Sequence, residues 1–251
     1  MKELTEKELS ARKRACLALD VPTVQDALDL TALLSDYVGL FKVGKQLHTA
    51  AGNENINIIK EIHDRGGNVF LDLKLHDTPN TVYEASRACT VPGVYMFNIH
   101  IAGGEAMCKK AVEGAREQAQ ASGIEAPKVI GVTVLTSLNG QDLSEQNLNI
   151  TYNDLVMRRA ELAVKWGLDG IVCPANKAGA LEKQFGSHFL YVTPGISWAG
   201  KHGAGQKQLY TPDLAVRDCT NSILVLGSAI TQSKDKRLTA YEILQVMARE
   251  L

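Results

Sequence analysis

The sequence has little of what marks a secreted, membrane-spanning or polyanion-binding protein. None of its 251 residues falls in a run approaching the ~18 consecutive apolar residues of a transmembrane helix. The opening MKELTEKELSARKRACLALD is crowded with charge where a secretory signal needs an apolar core. A cytoplasmic location is the expectation. The formal net charge of -1 supplies no global field for nucleic acid or an anionic membrane, although a small anion needs only a local cationic pocket. Five cysteines are scattered without a C-x-x-C spacing, and their odd number argues against a disulfide framework, so they read as buried thiols. No Gly-x-Gly-x-x-Gly follows the first strand candidate, which removes support for dinucleotide binding. No H-x-x-x-H or comparable ligand spacing accompanies His76 and His100, so they read as hydrogen-bonded histidines and no metal is expected. Pro/Ser-rich linkers and low-complexity tracts are missing as well, and residues 1–251 read as one continuous domain.

What is present suits a large core: 45% of residues are hydrophobic and 22% charged. Short β-rich runs alternate with helical patterns throughout. The strand candidates are 16–20, 40–44, 69–73, 95–100, 129–133, 170–173, 189–193 and 223–227. Between them, Ala27, Leu30 and Leu34, then Ile56, Ile59 and Ile62, and finally Ala240, Leu244, Met247 and Leu251 place apolar stripes on helix faces. Eight βα units with largely apolar strands predict an α/β fold, a single (β/α)8 TIM barrel; a doubly wound open sheet is the alternative.

Such barrels carry their chemistry at the C-terminal ends of the strands. There the sequence places Asp20, Lys42, Asp72, Lys74, His100, Thr136 and Ser137, then TPGISWAGKHGAGQ after the seventh strand, and Gly227 and Ser228 after the eighth. The sharpest segment is VFLDLKLHDTPNTV, residues 69–82. Strand alternation puts Asp72 and Lys74 on one face, toward the barrel axis, and Leu71, Leu73 and Leu75 on the other. Asp77 falls in the following loop, where Pro79 disfavours a helical Thr78. A lone Asp-x-Lys pair is equally well a buried salt bridge that fixes register. With Lys42 on the neighbouring strand, however, the order Lys42, Asp72, Lys74, Asp77 alternates in sign so that each member keeps the next ionised. Burying several charges carries a desolvation penalty of several kcal/mol per ion, which points to chemistry over packing.

With these segments the chain resembles the orotidine 5'-phosphate decarboxylases, in particular their bacterial branch. The resemblance runs through LALD, FKVGK, the Asp-x-Lys-x-x-Asp-x-x-x-Thr core, NIHIAGG, VTVLTS, GLDGIVC and TPGI. It implies a cofactor-free decarboxylation of orotidine 5'-phosphate to uridine 5'-phosphate in pyrimidine synthesis. By the same resemblance Lys74 donates the proton to carbon 6 of the pyrimidine and Asp72 sits beside the departing carboxylate. Lys42 and Asp20 match positions that hold the ribose hydroxyls and complete the charge network. Thr136 and Gln206 match positions that touch the base and bridge toward the phosphate, though a strand-end cap explains Thr136 equally well. Asp77 and Thr81 match residues that reach a partner subunit's site, which implies a homodimer. The glycine-rich 195–206 matches a lid closing over the phosphate.

The pattern breaks at two positions. The family usually carries arginines where this sequence has Ser197 and Ser228, and a serine hydroxyl cannot reproduce a planar, bidentate, charged grip on phosphate. Backbone amides of Gly227, Ser228 and Ala229 are the expected substitute, while Lys201, His202 and Lys207 read as solvated or as restoring positive charge near the lid. Thr78 stands where the family commonly has an apolar residue. Two other readings stay open: a metal-dependent sugar-phosphate decarboxylase or aldolase of the same superfamily, against which Lys42 argues, and a noncatalytic barrel that binds a phosphate ligand.

Overall fold

A computed structural model describes residues 3–198 and 210–251. Eight parallel strands close into a barrel in sequence order. They are β1 (Ala15–Ala18), β2 (Leu40–Gly44), β3 (Asn68–Leu75), β4 (Val94–His100), β5 (Lys128–Val132), β6 (Gly170–Val172), β7 (Leu190–Pro194) and β8 (Ser222–Leu226). The architecture is the (β/α)8 barrel that the alternation of elements predicts, and the open-sheet alternative falls with the β1-β8 pairing that closes the ring.

Both faces of each strand are covered, which is why the strands read as nearly continuous apolar runs. Cys16, Ala18, Leu40, Phe70, Met96, Ile130, Val192 and Val225 fill the barrel interior. Leu17, Phe41, Val43, Leu71, Phe97, Ile99 and Tyr191 point outward and join the helical shell in a second, larger core. Leu73 and Leu75 pack partly buried against that outer core, on the side that period-2 alternation assigns them.

Several boundaries differ from the sequence reading. β1 ends at Ala18, so Asp20 sits two residues beyond the strand; only Leu19 continues the ladder, its N–H donating to Lys42 O at 3.1 Å. The helix Val24–Leu34 buries Ala27, Leu30 and Leu34 as expected. The next isoleucine stripe is shifted: Asn57 caps Ile58–Asp64 by accepting from Lys60 N, so Ile58 and Ile62 are the buried pair, with Ile56 outside the helix. In Lys236–Arg249 the buried stripe is Ala240, Leu244 and Met247, whereas Leu251 lies past the helix end and is 39% exposed. The charged N-terminal segment also forms a helix, Glu6–Arg14, started by a Thr5/Glu8 capping box. Its last residue, Arg14, is buried and ties the helix to β8, donating to Ser222 O at 2.9 Å and to Cys219 O at 2.6 Å.

The β3-β4 ladder is irregular at its C-terminal end. Leu71 pairs with Phe97 and Leu75 with Ile99, so Asp72, Leu73 and Lys74 together oppose the single residue Asn98. The surplus of two residues is even, and the inward and outward faces of β3 therefore stay in phase across the bulge.

Candidate active site

At the C-terminal mouth of the barrel, the segment after β1 together with β2 and β3 contributes a line of charges. The Lys42 ammonium lies 3.0 Å from Asp20 Oδ1 and 3.2 Å from Asp72 Oδ2. The Lys74 ammonium lies 2.5 Å from Asp72 Oδ1. The ion-paired line in space is Asp20, Lys42, Asp72, Lys74, which contains three of the four members of the expected series and has Asp20 at its other end.

Burial grades this line. Lys42 and Asp72 have side chains only 11% and 14% exposed, while Lys74 is 29% and Asp20 65% exposed. Burial by itself pushes the Asp72 carboxyl upward, yet the adjacent Lys42 and Lys74 charges and hydrogen bonds from Lys74 and Asn98 hold it below the ordinary carboxylate range. Burial likewise works against the Lys42 charge, and the Asp72 and Asp20 carboxylates more than offset it, raising its pKa.

Sequence reasoning missed Asn98. Its side chain is 1% exposed, and it fills the β3 bulge: Oδ1 accepts from Lys74 N at 2.7 Å and Nδ2 donates to Asp72 Oδ1 at 2.7 Å. The available signal was an amide inside the otherwise apolar run VYMFNI. Lys74 itself adopts a left-handed backbone, φ 50°, which is uncommon for a residue with a side chain.

Lys42, Asp72 and Lys74 of the charged line form one side of a cavity of about 160 Å³. Val132, Val134, Val172, Val192 and Val225 form the apolar side, and Thr136 stands at the rim. One wall can stabilise developing negative charge, and the other can accept an uncharged group. The Lys42 ammonium stands between the Asp20 and Asp72 carboxylates, and the described residues contain no group of three or more His, Cys, Asp or Glu arranged to hold a metal ion.

Residues 13–243 match the family described as Orotidine 5'-phosphate decarboxylase / HUMPS. The orotidine 5'-phosphate decarboxylase of Moorella thermoacetica is 42% identical over 228 residues, spanning 90% of this chain and 89% of that protein. That of Syntrophotalea carbinolica is 39% identical, spanning 97% and 98%. The chain belongs to the orotidine 5'-phosphate decarboxylase family. A crystal structure of the Lactobacillus acidophilus member superposes with a TM-score of 0.81 at 32% identity, covering 94% of this chain and 99% of that one.

The remaining family positions are dispersed in the single chain. Asp77 is exposed and caps Thr78 N at 2.6 Å without joining the ion-paired line, so the fourth member of the predicted series does not meet Lys74 within one chain. Thr81, also exposed, shares a 3.0 Å hydroxyl contact with Thr78, just inside the helix Pro79–Cys89. Thr78 is extended, ψ 152°, and Pro79 opens the helix, as the Thr-Pro step predicts. Ser197 is 2% exposed and its N–H donates to Tyr210 O at 3.0 Å. Gly227 caps the short helix Ser228–Thr231 directly after β8. Gln206, like Lys201, His202 and Lys207, lies outside the described residues.

His100 closes the inner face of β4, its ring 5.3 Å from that of His76. Burial and the neighbouring His76, Lys74, Lys45 and Arg159 charges hold its pKa down to about 4, so the imidazole is neutral at pH 7. Because the folded value lies below the unfolded one of about 6.5, the unfolded chain takes up this proton first. Folded-state stability therefore falls as pH drops below about 6.5 and this loss is complete near pH 4. A His100→Gln variant is expected to lose less melting temperature than the parent between pH 7 and pH 5; equal losses would show that His100 contributes nothing to acid sensitivity.

Proposed function

We propose that this chain decarboxylates orotidine 5'-phosphate to uridine 5'-phosphate, as a cytoplasmic, cofactor-independent enzyme of pyrimidine synthesis. The observation that carries the reading is the Lys74 ammonium held 2.5 Å from Asp72 at the edge of a cavity whose far wall is apolar. The bond from carbon 6 to the carboxylate breaks, CO2 departs, and the electron pair stays on carbon 6. A fixed ammonium lowers the energy of that charge and then gives its proton to the same carbon, leaving a neutral amine for solvent to reprotonate. The Asp20 and Lys42 end of the line suits the ribose hydroxyls, with Thr136 at the rim toward the base.

Asp77 and Thr81 serve in this reading at the site of a second copy in a homodimer. Their exposure, together with the separation of Asp77 from the ion-paired line in its own chain, supports that assignment. The phosphate rests on the backbone amides at Gly227 and Ser228, which directly follow β8; Ser197 and Gln206 are assigned to the same group by family position alone. Lacking a guanidinium there, the enzyme grips phosphate less firmly. Ser228→Arg is expected to lower the Michaelis constant about tenfold, the equivalent of one charge-assisted hydrogen bond. An unchanged or higher constant in the folded variant counts against the amide-only grip.

The deciding assay follows the loss of orotidine 5'-phosphate absorbance with the purified chain in excess chelator. Sustained turnover supports the reading. Turnover abolished by chelator and restored by a divalent cation transfers the chain to the metal-dependent branch. Binding of the nucleotide without turnover makes it a binding module.

A further inference from the structure

We infer that Asn98 is a positioning residue: its one side-chain amide clamps the backbone of Lys74 and the carboxylate of Asp72 together, and so fixes where the Lys74 ammonium stands. The inference rests on the decarboxylation reading for its kinetic test, though not for its structural one.

The bulge explains why a clamp is needed. Between the Leu71-Phe97 and Leu75-Ile99 pairs, β3 has three residues facing one on β4, so the Lys74 N–H has no ladder carbonyl to reach. Asn98 Oδ1 takes that donor at 2.7 Å. This contact supports the left-handed turn at Lys74, φ 50°, which carries its side chain back to the Asp72 carboxylate. The other half of the amide donates to the same Asp72 oxygen that Lys74 Nζ touches. An apolar residue on the barrel interior, as at Met96 two positions earlier on β4, would leave the Lys74 N–H orphaned and Asp72 short of one donor. With the side chain 1% exposed, water has little access to replace either contact. Nothing places Asn98 on the reacting atoms, so its influence passes through Lys74 and Asp72.

Two variants test this. Asn98→Leu keeps the branched heavy-atom outline and removes both contacts; kcat is expected to fall about 100-fold, as for a reacting group displaced by about 1 Å, with the Michaelis constant within about threefold of the parent. Asn98→Asp keeps the acceptor for Lys74 N–H but sets a second carboxylate against Asp72. The charged or titratable groups around that position are Asp72 and Lys74 on β3, Lys42 on β2 with Asp20 and Cys16 beyond it, and His100 on β4. Two facing carboxylates raise one pKa, and the protonated carboxyl again offers a donor and an acceptor. The Asn98→Asp variant should therefore regain turnover as pH is lowered, where the parent does not. A kcat within threefold of the parent in folded Asn98→Leu, a loss confined to the Michaelis constant, or an Asn98→Asp profile parallel to the parent's would each overturn the inference. If Asn98→Leu fails to fold, the Asn98→Asp pH profile decides. If the parent itself has no turnover, the decarboxylation reading fails, and a crystal structure of Asn98→Leu decides the clamp: an unmoved Lys74 backbone and ammonium there overturns it.

Discussion

Lys74→Ala is expected to lower kcat for orotidine 5'-phosphate by at least about 10⁴-fold while leaving the affinity for uridine 5'-phosphate nearly unchanged. A positioned general acid contributes about 10²–10⁴, and a preplaced charge facing the developing carbanion about 10²–10³. One side chain supplies both, so the two factors overlap and are not multiplied in full. The fold should survive, because Asp72 keeps the Lys42 ammonium at 3.2 Å and the Asn98 amide at 2.7 Å. Lys74→Arg separates the contributions: it retains a cation but does not release a proton at neutral pH. Spectrophotometric turnover of the three proteins, with product binding by calorimetry, makes the comparison. A Lys74→Ala enzyme within tenfold of the parent would mean that another group delivers the proton.

The sequence reading reached the barrel because period-2 strands and 3.6-period helices alternate without interruption, and it reached Asp72 and Lys74 because charge inside an apolar strand is conspicuous. It reached their common face partly by the parity of the bulge. Counting alternate residues places Lys74 beside Asp72 in a regular strand, whereas the actual strand inserts two residues against β4 and still brings the two side chains together. Only an even insertion preserves that result. The bulge was not legible, since it depends on how β4 pairs with β3, and with it Asn98 stayed hidden among apolar neighbours. Asp20 was placed on a strand that ends two residues earlier, yet its carboxylate still finds Lys42. The N-terminal helix is absent from the sequence reading, which takes the charges there only as evidence against a secretory signal, while Arg14 is buried against the carbonyls of Cys219 and Ser222, more than 200 residues away in sequence. Asp77 and Thr81 are a different matter, because the role proposed for them at a second chain's site would leave no trace in the spacing of one.

Asp72→Asn is expected to have the largest effect on stability and to decide what the carboxylate does in catalysis. Asp72 accepts from Lys74 Nζ, Lys42 Nζ and Asn98 Nδ2 within 3.2 Å. Removing its charge leaves the buried Lys42 ammonium with only the largely exposed Asp20, and breaking a buried pair in this way costs about 3–5 kcal/mol. The sign of the pH dependence comes from the lowered carboxyl pKa in the folded chain. The contribution is fully present above the unfolded value of about 4 and is lost as pH falls through the lower folded value. Urea denaturation should therefore show a wide gap between parent and variant at pH 7 that closes on acidification; a gap independent of pH would assign the loss to packing. Turnover should fall as well, because Lys74 loses its anchor, but the more informative quantity is the ratio of substrate to product affinity. If Asp72 raises the energy of the bound substrate by facing its carboxylate, Asp72→Asn binds orotidine 5'-phosphate more tightly relative to uridine 5'-phosphate than the parent does. If Asp72 only holds the two ammonium groups in place, that ratio does not improve while kcat still drops. Slow turnover in the variant allows both affinities to be measured directly, so the same protein distinguishes repulsion of the substrate from positioning of the acid.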